Sequence, residues 1–396
     1  MLMVLQKSLK SLQLRLHEFF EQIAHGSLQA ATPGAYTQAR AKLSHRAFVE
    51  LNQIALLGTL ESCGAHRQCW QGHRLLAIDS SLMRLPGEEE IWKRFGGQEP
   101  SNQSGNCGMR VPMARLSVLY DVLNRLGLET RLEPFAVGEI DMAGEHLHIV
   151  RQGDVCLLDR GFAGYELFAR ILTRGAHFLV RCPRRSFGVV SELFAKDEAG
   201  VSLSVWLKAS AQAIRAGSPS EIKVRFVTLR LPTGELEVLA TSLLDEEVYP
   251  TPVFGWVYSQ RWGIETFYGV LKGRLDLENF SGLSVESVLQ DVHAAVFLSN
   301  LESVVAAPVA SRMPAAGRNG RKHGTKINRA VSFHAIKSRM FDLLLGPMPV
   351  EQVVVELHSL LRANPVAMRP GRGVPRKPPS ALRSLHHQRR VKKIVY

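Results

Sequence analysis

The pattern of apolar positions separates helical ends of the chain from a central region of alternating strands and helices. Near the N-terminus, apolar residues recur close to the 3.6-residue period of a helix from Leu5 to Ile23. Further helices are predicted there at about 35–43 and 45–57. From residue 73, apolar runs predict strands at 73–85, 114–123, 128–135, 155–159 and 177–182, with helices at 139–152 and 163–174. This order indicates an α/β fold around a mixed sheet flanked by helices.

The segment 183–247 interrupts that alternation. Its three strand-like stretches (201–209, 221–231 and 235–244) and the turn at 231–234 predict an all-β insertion. After it, one helix is expected from about Val253 to Leu275 and another at 284–306.

These shifts predict five regions. They are a helical leader at 1–70, a first part of the α/β domain at 71–182, the β-rich insertion at 183–247, a second part at 248–310 and a basic C-terminal region at 311–396. The short helices of the leader fit a DNA-binding module or a packing collar equally well.

The excess of positive over negative charge is confined to the C-terminal region. The chain has 49 Lys and Arg against 36 Asp and Glu, a net charge of +13. Residues 312–396 hold 18 basic and 3 acidic residues, so the preceding residues are close to neutral. A basic segment beside a neutral body indicates a polyanionic partner such as nucleic acid, although a solvated tail has the same composition.

Composition bears on whether the protein is a membrane, secreted or cytoplasmic protein. Hydrophobic residues make up 45% of the chain, and no apolar run approaches the ~20 residues that span a bilayer, so we expect no membrane segment. The first 22 residues carry charges every few positions, unlike a signal peptide. Five irregularly spaced cysteines favour the reducing cytoplasm over a disulfide framework.

Two acids interrupt or end apolar runs in the predicted strands. Asp79 follows the run 75–78 and Asp159 follows the run 155–158, and both are expected at strand ends. Ligands of α/β sheets bind at the carboxyl ends of strands, where a carboxylate is costly unless it is paired or binds a cation. Either Asp alone is explained as well by capping the next turn.

A third acid belongs to a polar helix face. At 100° per residue, Tyr258, Arg261, Glu265 and Lys272 share a face about 60° wide. The simplest alternative is an Arg261–Glu265 ion pair across one turn.

Together these residues predict a site for phosphate chemistry. Three carboxylates (Asp79, Asp159 and Glu265) are hard oxygen ligands that suit Mg2+ or Mn2+. Two such ions support in-line displacement at phosphorus. Arg261 and Lys272 provide positive charge for a phosphate, and Tyr258 provides a hydroxyl.

The spacing Tyr258-x2-Arg261-x3-Glu265-x6-Lys272 resembles the Tyr-Arg-Glu-Lys signature of DDE transposases of bacterial insertion sequences, in the subgroup with a β-rich insertion. LLAIDSSLMRLP, with Asp79, resembles that family's first Asp segment. LLDRGFAGYELF, with Asp159 and Arg160, resembles its second. The resemblance covers about residues 35–305.

This resemblance implies a ribonuclease H-like fold with Asp79, Asp159 and Glu265 as catalytic residues and as ligands of Mg2+ or Mn2+. It implies that Tyr258, Arg261, Lys272 and Arg160 bind DNA phosphates. The expected activity is cleavage at the transposon ends followed by strand transfer into target DNA, with a homodimer in the synaptic complex. The alternatives are a DNA-binding protein and a structure-selective nuclease on the same fold.

Two further groups of residues carry weaker expectations. Cys63, His66, Cys69 and His73 are zinc-ligand types, but their irregular spacing favours a chance cluster. His146 and His148 are expected at the surface.

Overall fold

The computed structural model describes residues 1–8, 10–24, 31–62, 67–99, 110–314 and 323–368. The chain divides into two compact units. One comprises Gln53–Gly273, and the other comprises Met1–Asn52 and Arg274–Tyr396.

A large mixed sheet flanked by helices forms the unit Gln53–Gly273. Its strands are β1 (Leu75–Arg84), β2 (Gly97–Gln98), β3 (Val111–Asp121), β4 (Leu126–Pro134), β5 (Val155–Leu158), β6 (His177–Arg181), β7 (Ser202–Lys208), β8 (Glu221–Arg230) and β9 (Leu236–Thr241). The order across the sheet is β2-β3-β1-β5-β6-β9-β8-β7, and β4 also pairs with β3. β5 is parallel to β1 and to β6, whereas the other pairs are antiparallel. The sequence predicted five of the six strands between residues 73 and 182 in their succession along the chain, and it missed β2.

The helices of this unit precede the sheet, connect its strands or follow its last strand in the chain. They are α5 (Thr59–Ser62), α6 (Glu89–Phe95), α7 (Glu139–His146), α8 (Tyr165–Thr173), α9 (Gly188–Lys196), α10 (Ala211–Arg215), α11 (Val253–Ser259) and α12 (Trp262–Gly269). Leu51–Gly58 and Val270–Arg274 form π-helical turns. Every residue of β5 is buried, as expected for a central parallel strand with both faces covered.

The segment 183–247 is β-rich but not all-β, which corrects the sequence prediction. It contains α9 and α10 besides three strands. In α9, Val190 and Leu193 are one helical turn apart and both are buried, a spacing that the strand-like pattern around them concealed. Ser210 caps α10 by accepting a hydrogen bond from the Ala213 backbone amide. The strands join the main sheet, because β9 pairs with β6.

The expected helix from Val253 to Leu275 is also divided. α11 ends at Ser259 and α12 begins at Trp262. Between them, the Arg261 amide donates to the Tyr258 carbonyl at 3.0 Å, and this three-residue spacing tightens the turn. A wider π-helical turn follows α12. A constant 100° per residue therefore does not hold over the whole signature.

The second unit is helical in both of its chain segments. Its helices are α1 (Leu2–Leu5), α2 (Leu12–Ala24), α3 (Pro33–Ala41), α4 (Arg46–Glu50), α13 (Val285–Ala310), α14 (Arg329–Ser338), α15 (Met340–Leu344) and α16 (Val350–Ala363). Two short strands, β10 (Thr325–Lys326) and β11 (Val366–Ala367), pair with each other.

Helix α13 is the core element of this unit. Among the described residues it is the one helix long and apolar enough to cross a membrane, and 67% of that apolar stretch is buried inside the protein. It packs against α1, α3, α4, α14 and α16. Its buried Asp291 is paired with Arg40 at 2.9 Å. A helix that is apolar on all sides is expected at the centre of a helical core.

Candidate active site

The two aspartates belong to adjacent parallel strands, with Asp79 within β1 and Asp159 directly after the end of β5. The pairing of β1 with β5 ends at Ala77 and Leu157. Asp79 and Asp159 each lie two residues further along, so they share one level and one face of the sheet, with neighbouring strands about 4.8 Å apart. Asp159 follows the end of β5 as expected. Asp79, however, lies in the middle of β1, because β1 continues to Arg84 by pairing with β3, where Asp79 faces Val118.

The guanidinium of Arg261 bridges two of the three predicted acids. One terminal nitrogen is 3.0 Å from Glu265 Oε1, and the other is 4.0 Å from Asp79 Oδ2. The side chain is only 6% exposed, whereas those of Asp79 and Glu265 are 23% and 28% exposed. The Arg261–Glu265 ion pair expected from helical spacing is thus present, and Arg261 also reaches Asp79 on the sheet. Arg261 Nε is buried without a hydrogen-bond partner in the described part of the chain, a costly arrangement that is frequent at functional sites.

Tyr258 connects the third acid to this group. Its hydroxyl donates to Asp159 Oδ1 at 3.5 Å, and the Arg261 guanidinium lies 5.8 Å from the centre of its ring. Burial raises the pKa of Tyr258, so the phenol stays protonated as a donor. Burial alone would lower the pKa of Arg261, but Tyr258, Asp159 and Glu265 outweigh it and raise that pKa.

The surroundings of Asp79 disfavour the charged form of its carboxyl group. Burial raises its pKa to about 6, with smaller contributions from Glu139 and Glu265. The Ser80 amide, which donates to Asp79 Oδ1 at 2.8 Å, and the Arg261 charge oppose this shift. A carboxylate whose charged form is disfavoured by burial is stabilised by further positive charge beside it.

Lys272 contacts β1 beyond Asp79, and Arg160 directly follows Asp159. Lys272 Nζ donates to the Leu82 carbonyl at 2.5 Å, three residues beyond Asp79 on β1. Lys272 lies in the π-helical turn Val270–Arg274 that follows α12. Arg160 directly follows Asp159 in a short 3-10 helix and is exposed. A phosphate-binding role for either residue stays a prediction.

Sequence patterns did not reveal several polar residues that hold these elements together. The buried Tyr268 hydroxyl donates to the backbone carbonyls of Asp79 and Leu116, at 2.8 and 3.1 Å, and so joins α12 to β1 and β3. His146, expected at the surface, is fully buried. Its ring nitrogens contact Ser117 Oγ at 3.0 Å and Glu129 Oε2 at 2.6 Å. These two partners of His146 lie on β3 and β4, so helical periodicity alone could not reveal them.

The donor set fits a divalent cation by its chemistry. Asp79, Asp159 and Glu265 present carboxylate oxygens, the ligands that Mg2+ and Mn2+ prefer, beside a single buried guanidinium. Within the described ranges, no three His, Cys, Asp or Glu side chains are grouped closely enough to hold a metal ion as they stand. The three acids are therefore candidate ligands, and they do not form a preformed cage.

Among the described residues, the Cys and His group and the basic C-terminal region do not form a second site. Cys63 and His66 lie outside the described residues. Cys69 is a free, exposed thiol, and His73 Nε2 lies 2.8 Å from the Tyr249 hydroxyl. Residues 369–396 of the basic C-terminal region also lie outside the described residues.

A comparison with protein families decides the classification. The model of the transposase DDE domain matches residues 70–301, more than half of the chain. The chain belongs to the transposase DDE family. The match includes both aspartates, the segment between them and the glutamate, and the four positions of the Tyr-Arg-Glu-Lys spacing.

Individual DDE family relatives are more distant. The chain is 26% identical over 253 residues to the transposase InsG for insertion sequence element IS4 of Escherichia coli (strain K12). That alignment covers 62% of this chain and 54% of the relative, so the chain spans about half the length of this curated relative. The piggyBac transposase in a synaptic complex with hairpin DNA has a TM-score of 0.42 and 13% identity, over 73% of this chain and 57% of that one.

Proposed function

We propose that this protein is the transposase of an insertion sequence, which cleaves DNA at the element's ends and transfers the cleaved strand into target DNA. The observation that carries the proposal is the convergence of Asp79 and Glu265 on Arg261 and of Asp159 on Tyr258, on one face of the sheet. The family match and the insertion-sequence relative support it.

The proposed architecture is a ribonuclease H-like domain of the Tyr-Arg-Glu-Lys subgroup, interrupted by the β-rich insertion at 183–247. Its two parts are 71–182 and 248–310. The helical leader at 1–70 and the basic region at 311–396 would contact DNA, and two copies would act together on paired ends in the cytoplasm.

In this proposal, Asp79, Asp159 and Glu265 hold Mg2+ or Mn2+. A bound divalent ion would supply Lewis-acid activation of the attacking oxygen and stabilise the leaving oxygen. Arg261 has two roles in the chain itself. It keeps Asp79 and Glu265 oriented while no ligand is bound, and its fork of donors suits a phosphate oxygen.

Tyr258 and Lys272 would position the DNA strand. The protonated Tyr258 hydroxyl beside Asp159 can donate to a phosphate oxygen, because its pKa is raised by burial. Lys272 would add a compact ammonium charge at the edge of the site. The exposed Arg160 would add a guanidinium, whose donors form a fork.

The test is a strand-transfer assay. The protein is incubated with Mg2+, a labelled duplex from the DNA that flanks its own coding sequence, and a supercoiled target plasmid. We expect labelled DNA joined to the plasmid. Cleavage without joining would support a nuclease instead, and binding without cleavage would support a DNA-binding protein.

A further inference from the structure

The row of charged residues at the active site continues into the β-rich insertion. The pairing of β5 with β6 ends at Leu158 and Val180, so Asp159 and Arg181 stand at the next level of adjacent strands. Arg181 in turn pairs with Leu239 of β9. Glu237 lies two residues from Leu239 and therefore on the same face. Asp79, Asp159 and Arg181 thus stand at one level across β1, β5 and β6, and Glu237 lies two residues along β9 on the same face. We call these four residues the charged row.

Within the charged row, Arg181 forms an ion pair with Glu237 of β9, which belongs to the β-rich insertion. Its Nε is 3.1 Å from Glu237 Oε1, and the side chains of Arg181 and Glu237 are 34% and 6% exposed. Burial raises the pKa of Glu237, while the nearby charges of Arg181 and Arg261 oppose the shift and Asp159 adds to it. Glu237 therefore lies within electrostatic reach of both the Asp159 carboxylate and the Arg261 guanidinium.

We propose that Glu237 is a positioning residue, which holds the Arg181 guanidinium toward the insertion and so leaves the Asp159 carboxylate available to a divalent cation. This inference rests on the proposed function. The carboxylate on the other side of Arg181 in the charged row is Asp159. Without Glu237, the guanidinium loses its partner and competes with the cation for Asp159, because a positive charge is attracted to the nearest remaining carboxylate.

The proposal can be tested by measuring Mn2+ binding to the full chain without DNA, from the electron paramagnetic resonance signal of free Mn2+. We expect Glu237→Gln to weaken Mn2+ binding by about five- to tenfold, a typical coupling between neighbouring groups. Adding Arg181→Met to that variant removes the competing cation and restores affinity toward the wild-type value. Glu235→Gln, which removes an exposed carboxylate from the same hairpin, is the matched control and leaves binding unchanged.

The double variant separates positioning from general structural damage, because a merely structural role would make it worse than the single variant. Failure of Arg181→Met to rescue Glu237→Gln would overturn the inference, as would wild-type affinity in folded Glu237→Gln. If Glu237→Gln does not fold, the single variant Arg181→Met provides the test. We expect it to bind Mn2+ at least as tightly as the wild-type protein does. Weaker binding would overturn the inference. A wild-type chain that binds no Mn2+ would overturn the proposed cation site and this inference together.

Discussion

Replacing Asp79 with Asn should stabilise the protein while abolishing cleavage. In the metal-free fold, the Asp79 carboxylate is disfavoured by burial, with Glu139 and Glu265 adding to the effect, and its pKa rises from 3.8 to about 6. Asn has the same shape and can still accept the Ser80 amide through its side-chain oxygen. It carries no charge that burial penalises, and it loses the ability to act as an anionic ligand.

The magnitude follows from the pKa shift. A shift of about two units at 1.36 kcal/mol each gives an upper bound of about 3 kcal/mol, and partial solvent access at Asp79 reduces it to roughly 1–3 kcal/mol. Because the folded-state pKa lies above the unfolded one, the ionised carboxylate destabilises the fold at high pH. The advantage of Asp79→Asn is therefore small at pH 4, grows up to about pH 6 and is constant above.

The assay is thermal unfolding in buffer containing a metal chelator, at pH 4 and pH 8. For a unit of this size, about 2–4 °C per kcal/mol converts the expected gain into a clear rise in Tm at pH 8. Glu192→Gln, at an exposed position on α9, serves as the control and should not change Tm. A lower Tm for Asp79→Asn at pH 8, or a larger gain at pH 4 than at pH 8, would refute the reasoning.

Three more predictions follow from other contacts. Arg261→Lys, which replaces a fork by a point charge, should slow cleavage at saturating DNA by about 10²-fold, and an unchanged rate would contradict a bridging role. Tyr268→Phe leaves two buried carbonyls short of a donor and should cost about 1–3 kcal/mol in urea unfolding, whereas wild-type stability would show those bonds to be dispensable. Deleting residues 369–396, which hold nine Lys and Arg and no acids, should reduce the salt dependence of DNA binding; an identical slope would show that they do not contact phosphates.

Local patterns predicted much of the catalytic unit. Apolar runs predicted the strands around Asp79 and Asp159, and helical spacing predicted the contact between Arg261 and Glu265. These features depend on residues that are neighbours along the chain or within one helical turn, so the sequence contains the information directly.

What the sequence did not predict depends on pairing between distant strands. The position of Asp79 within β1 follows from the length of β3 beside it. The place of Arg181 in the charged row follows from registers with β5 and β9. The turns at both ends of α12 break the constant 100° per residue assumed for the signature, because three- and five-residue hydrogen bonds replace the regular helical ones. No single segment encodes these relations.

The central claim is that the three carboxylates catalyse DNA cleavage. The most direct test is cleavage of a labelled duplex from the DNA flanking the protein's own coding sequence, in Mg2+, by wild type and by Glu265→Gln. We predict a nick at the element end with wild type and none with the variant, although both bind the duplex with similar affinity. Equal cleavage by Glu265→Gln would contradict the account.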